Sequence, residues 1–159
     1  MVAVSSDPAS AALVALVPGI MAEHPDILWR FDDVPDGFRV ALWSARDPER
    51  TASVRVHRGG EVFVLGFGPY VGPTFEYDEE EKPDELRARL ATAVAAVRGP
   101  SRLVLTFAGD KCTSCELVLA AGLPEEMSDG TTVDHLTRTL AWRLLRRRLR
   151  IETLELDRI

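Results

Sequence analysis

Apolar positions along this 159-residue chain recur in two rhythms, one helical and one of period two. Leu13, Leu16, Val17, Ile20 and Met21 are spaced by three and four, which gathers them on one face of a helix. Asp7 can cap that helix and Pro8 suits its first turn, where the missing N–H leaves no bond unmade. Pro18 is expected to kink or split it, and His24-Pro25 ends it. From there the period shortens. Ile27 to Phe31 is a short apolar run, and Asp32 to Gly37 has turn chemistry. Phe38, Val40 and Leu42 alternate with Arg39, Ala41 and Trp43, and Ala52, Val54 and Val56 alternate with Ser53, Arg55 and His57. Asp47-Pro48-Glu49 turns the chain between these two strands. Gly59-Gly60 then predicts a hairpin into a strand over Glu61 to Phe67. A loop over Gly68 to Pro73 leads to a short strand, Thr74 to Tyr77. Connections this short join antiparallel neighbours, so the region reads as a meander.

The helical rhythm returns with Leu86, Leu90, Ala93, Val94 and Val97, opened by Pro83 and closed by Gly99 and Pro100. Leu103 to Phe107 has the β-branched and aromatic content of a strand. Thr113 to Ala121 fits two patterns. Thr113-Ser114-Cys115-Glu116 matches a capping box and favours helix, while Cys115, Leu117 and Leu119 also alternate as a strand would. Pro124 to Gly130 is read as loop, Val133 to Arg150 as helix, and Glu152 to Leu156 as a last strand. The expectation is a single α+β domain over residues 1–159, with residues 1–6 disordered: an antiparallel meander of five or six strands with helices packed mainly on one face.

Composition narrows the class. At 46% hydrophobic and 28% charged residues the chain is globular, and long enough to bury a core without staples. A formal charge of −6 opposes non-specific binding to nucleic acid or anionic membrane and favours a cationic partner. Lys82 and Lys111 are the only lysines among 19 basic residues, an arginine bias that high-GC codon usage explains without any function. The apolar stretch Ala9 to Val17 has no preceding basic residue and is interrupted by Pro18-Gly19, so neither a leader nor a membrane span is expected. Two cysteines do not make a disulfide framework, and the reading is a cytoplasmic protein.

Those cysteines, Cys112 and Cys115, stand at a redox or metal-ligand spacing. On the helical reading, a strand would deliver Cys112 to a helix N-terminus beside Lys111, where the dipole and the ammonium would stabilise a thiolate. This strand–CxxC–helix order resembles the thioredoxin-like active site over about a dozen residues. By that resemblance Cys112 would attack and Cys115 resolve. The tryptophan before the motif and a later proline-headed strand are missing. A zinc site would need two more ligands from His24, His57, His135 or carboxylates, and no second paired motif supplies them. Without such partners the thiols pack as small core residues.

Asp78-Glu79-Glu80-Glu81 precedes the central helix, with Asp84 and Glu85 in its first turn. Carboxylates there complement the helix dipole whatever else they do. With Tyr70, Phe75 and Tyr77 beside them, they also form a candidate surface for a basic protein partner. Arg143, Arg146, Arg147 and Arg150 share a helical stripe, but an acidic chain and a helix C-terminus account for them without nucleic acid. No nucleophile elbow, P-loop or dinucleotide fingerprint is present.

The run Val62-Phe63-Val64-Leu65-Gly66-Phe67-Gly68 into Phe75-Glu76-Tyr77-Asp78, followed by an Ala-rich helix to Arg98-Gly99, resembles small α+β proteins of high-GC bacteria. Some of these are immunity proteins of polymorphic toxin systems. The resemblance covers roughly residues 50–100, transfers no residue roles, and implies a non-enzymatic protein without a cofactor that binds a toxin domain. The alternative is a thiol-redox or zinc protein built on Cys112 and Cys115.

Overall fold

The computed structural model describes residues 8–35, 37–57, 59–133 and 149–159. Among them are helix α1 (Pro8–Ala22), strands β1 (Ile27–Val34), β2 (Gly37–Ser44), β3 (Thr51–His57), β4 (Val62–Phe67) and β5 (Tyr70–Phe75), helix α2 (Lys82–Arg98), and strands β6 (Ser101–Ala108), β7 (Lys111–Leu119), β8 (Met127–Val133) and β9 (Leu149–Leu156). The fold is α+β. The first five strands form an antiparallel meander in chain order, and the last four form a second antiparallel sheet ordered β8-β7-β6-β9.

Alternation decides which face of the meander is buried. Phe38, Val40 and Leu42 on β2, Val54 and Val56 on β3, and Phe63 and Leu65 on β4 are at most 1% exposed. α2 covers that face with Leu86, Leu90, Ala93, Val94 and Val97, and also reaches β6 and β7 of the second sheet. Each large aliphatic side chain so buried contributes about 1.5–3 kcal/mol relative to exposure. α1 packs on α2 and β3 through Leu13, Val17 and Met21. Pro18 does not split it: α1 runs unbroken, because Leu13, Val17 and Met21 at four-residue spacing fix both of its halves on the same core.

Several boundaries differ from the sequence reading. Asp32 and Asp33 belong to β1 and not to a turn, because Asp32 is neutralised across the ladder by Arg39 and along the strand by Arg30. The supposed loop over Gly68 to Pro73 is a tight turn at Gly68-Pro69, where Gly68 takes φ +55°, followed directly by β5. Residues 113–121 are not helical. Lys111–Leu119 pairs with β6 on one side and β8 on the other, and these two ladders outweigh the capping-box pattern. Of the helix expected over Val133 to Arg150, residues 134–148 lie outside the described residues, whereas Val133 ends β8 and Leu149 and Arg150 begin β9.

The two sheets meet where β5 faces β8. Val71 donates its backbone N–H to Thr132 Oγ1 at 2.8 Å, and the Thr132 hydroxyl donates to the Val71 carbonyl. One side chain thus satisfies both ladder groups of an edge residue. At the other end of the core, Arg50 donates to the carbonyls of Val97 and Asp157, and Gly99 brings the end of α2 against the end of β9. Gly99 has φ +68°, and a Cβ there would lie 2.7 Å from the Asp157 carbonyl oxygen.

Candidate functional site

The sequence-predicted surface residues lie on and just after β5. Along that strand Tyr70, Gly72 and Thr74 face the core, while Val71, Pro73 and Phe75 face outward. Tyr70 is therefore not a surface anchor. It is 1% exposed, and its ring occupies the space above Gly72, where a Cβ would come within 2.4 Å of the hydroxyl oxygen. Phe75 and Tyr77 do stand in solvent, at 59% and 68% exposure, with Val71 partly exposed beside them.

Asp78, Glu79, Glu80 and Glu81 continue this ridge, all exposed. The segment is held by its own polar atoms: Glu76 accepts the Asp78 backbone N–H at 2.9 Å and Asp78 accepts that of Glu80 at 2.9 Å. The backbone N–H groups of Glu81 and Lys82 reach the Asp78 carbonyl and start α2. Lys82 is buried and its ammonium pairs with Glu79, so one of the four carboxylates is internally compensated. Glu76, Glu81, Asp84 and Glu85 line a shallow cleft of about 350 Å³ behind the ridge. Its field is negative, and Arg87 on the outer side is already paired with Asp84. The four carboxylates do not converge: among the described residues no three His, Cys, Asp or Glu side chains are placed to hold a metal ion.

Beneath the ridge lies a polar network that the sequence pattern did not reveal. The Tyr70 hydroxyl donates to Asp129 Oδ2 at 2.9 Å, Arg89 Nη1 lies 3.2 Å from Asp129 Oδ1, and Arg89 Nε lies 3.1 Å from Glu85 Oε1. Asp129 is the extra residue of a β-bulge in β8, where the pairing with β7 shifts at Leu117/Val118. The bulge turns its carboxylate toward β5 and α2. Burial, and then the Asp129 carboxylate, raise the Tyr70 phenol above its ordinary range. The one sequence signal for this site is Ser128-Asp129-Gly130, whose turn chemistry suggests a loop where the structure has a bulged strand.

The cysteines lie elsewhere, on β7. Pairing shifts between Thr106 and Phe107, so that Cys112 stands opposite Phe107 and Cys115 opposite Leu105, which returns both to one face. Cys115 is buried at 2% exposure, and burial first, then Cys112 and Glu116, push its thiol up to about 11. Cys112 donates from Sγ to the Ser114 carbonyl. The helix N-terminus that would have stabilised a thiolate is absent from this segment, because Lys111–Leu119 is strand. Phe107 and Leu105 are two ladder steps apart, about 7 Å, which is the upper limit of Cα separation for a disulfide, and both thiols are free. Of the histidines considered as further zinc ligands, His57 ends β3 in the other sheet, His24 lines a pocket with Leu119 at the far end of β7 from Cys112, and His135 lies outside the described residues.

Among the described residues no helix is long and apolar enough to cross a membrane. No protein-family model matches the chain, and comparison with curated proteins and with solved structures finds no match.

Proposed function

We propose that this chain is a non-enzymatic protein-binding module of the cytoplasm, using the ridge from Phe75 to Glu81 against a partner with a basic surface. One observation carries the reading: two large aromatic side chains, 59% and 68% exposed, are contiguous with a run of exposed carboxylates. Exposed aromatics held on a rigid edge are the side chains that dominate protein interfaces when a partner desolvates them. Surrounding carboxylates accelerate encounter with a cationic partner and reject anionic ones. The cleft of Glu76, Glu81, Asp84 and Glu85 extends the same field, so one arginine or lysine of the partner could be received there. A toxin domain is the partner class we favour, given the resemblance of residues 50–100 to immunity proteins and the basic surfaces common among toxin nucleases.

The test is co-expression with the products of neighbouring genes, followed by titration calorimetry on any complex recovered. A salt-sensitive complex is expected, weakened about tenfold or more by Phe75→Ala with Tyr77→Ala, and also by reversal of Glu79, Glu80 and Glu81 to lysine. A complex indifferent to both sets of changes would place the binding surface elsewhere and end this reading.

A further inference from the structure

β9 is the outermost strand of the second sheet, and among the described residues nothing pairs with its free edge. Every residue from Leu149 to Glu155 is exposed, including Leu149 at 43%, Ile151 at 68% and Leu154 at 48%. An eight-residue edge strand with apolar side chains on both faces is a template for another strand. β1, the other free edge, packs Trp29 and Phe31 against the core and leaves only Leu28 as an exposed large apolar side chain.

The order of residues in β9 says which strand fits. Two copies related by a twofold axis through the sheet pair antiparallel, with residues of like parity opposite one another. Centring on Arg150 or on Glu152 sets like charges face to face, and centring on Thr153 sets Ile151 against Glu155 and Glu152 against Leu154. Centring on Ile151 satisfies each pair within Leu149 to Thr153. Ile151 meets Ile151 of the second copy, Arg150 meets Glu152 in both directions, and Leu149 meets Thr153. Arg150 is also held for this, since its guanidinium lies over the Phe107 ring at 5.0 Å and pairs with Glu152 of its own strand at 2.9 Å. Ile151 lies opposite Thr106, on the face turned away from the core, so the isoleucine pair would shield apolar surface that the monomer leaves in water.

We propose that β9 is a self-association edge, through which two copies of this chain join their four-stranded sheets into one of eight, in register about Ile151. This is independent of the ridge at Phe75 to Glu81 and leaves that surface free on each copy.

Sedimentation velocity over a wide concentration range tests it. The expected result is a species of about twice 17.5 kDa that Ile151→Lys converts to monomer. Arg150→Glu weakens association about tenfold, and adding Glu152→Arg restores it. Because a variant at the edge could lose folding and not only pairing, circular dichroism accompanies each. Ile151→Cys with Cys112→Ser supplies a second readout: mild oxidation should cross-link two copies through position 151, while the same change at Thr153 should not. A wild-type chain that stays monomeric throughout, a dimer indifferent to Ile151→Lys, or a charge swap that fails to rescue overturns the proposal.

Discussion

Tyr70 and Asp129 are 59 residues apart in the chain, yet the tyrosine hydroxyl donates to the aspartate at 2.9 Å across the joint between the two sheets. Arg89 of α2 closes the third side, so strand, strand and helix share one buried carboxylate. The three side chains are not equivalent. Tyr70→Phe removes a neutral donor and leaves Asp129 its arginine, at a cost of about 1 kcal/mol. Asp129→Ala strands a buried hydroxyl and leaves Arg89 with Glu85 alone, at a cost of about 2 kcal/mol. Urea denaturation of the two variants checks that order; equal losses would mean that the carboxylate is not the shared element.

The same tyrosine gives an alkaline signature. Its phenol is raised above the ordinary 10.0 because burial and Asp129 disfavour the phenolate. A folded state that holds the proton more tightly than the unfolded state keeps its advantage below that ordinary value and loses it as pH climbs above it. Ultraviolet titration should therefore show one of the two tyrosines ionising only as the fold is lost, and Tyr70→Phe should abolish that late step.

Thr132 should matter more than an exposed-edge threonine normally does. Thr132→Val is nearly isosteric but removes the acceptor for the Val71 N–H and the donor to its carbonyl. About 0.5–1.5 kcal/mol should be lost, the net worth of hydrogen bonds at an exposed edge. Thr132→Ser keeps the hydroxyl and should recover most of it. Hydrogen exchange at the Val71 amide is the local measurement: it should quicken in the valine variant and stay slow in the serine variant.

What could be read from the sequence follows from how local the deciding forces are. α2 was legible because its five core positions, its proline and its glycine all fall within one short window. The meander was legible from alternation and from Gly59-Gly60, where both residues take positive φ. Thr113 to Ala121 leaves helix and strand open with helix favoured, because the capping pattern sits in plain view while the deciding bonds come from β6 and β8. A loop over Gly68 to Pro73 leaves the parity of Tyr70 undefined, and its neighbours Phe75 and Tyr77 then suggest a surface anchor. Once β5 starts at Tyr70, parity alone places it inside. Asp129 is hidden in the sequence because Ser128-Asp129-Gly130 has turn chemistry and a bulge breaks the alternation that would place it in a strand.

Asp26 and Arg98 tie the α1–β1 connection to the end of α2, and the pair sets an acid limit. Hydrogen bonding to Arg98 holds the Asp26 carboxyl down at about 2 against an ordinary 3.8. A depressed carboxyl contributes stability above its unfolded value, and that contribution is lost as pH falls from near 4 toward 2. The side chains are 50% and 34% exposed, so solvent screening reduces the gain to about 0.5 kcal/mol. Carbon-detected NMR titration should find the low value in the native chain and its return toward 3.8 in Arg98→Gln.

The cysteine pair offers the last separation of readings, because strand geometry and redox chemistry demand opposite behaviour from Cys115. A resolving thiol must reach the sulfur of its partner in the folded chain and close a disulfide there. Cys115 is 2% exposed and its thiol is pushed up to about 11, so at mildly alkaline pH it should resist alkylation in the folded chain and react once denaturant is added. Cys112, half-exposed at the start of β7, should react first. Cys115→Ala should leave partner binding unchanged and cost stability only through the small cavity beside Leu105, about 1 kcal/mol. Mass spectrometry after timed alkylation decides the matter: prompt double labelling of the native chain, or an internal disulfide formed under mild oxidation without unfolding, would return Cys112 and Cys115 to the centre of the function.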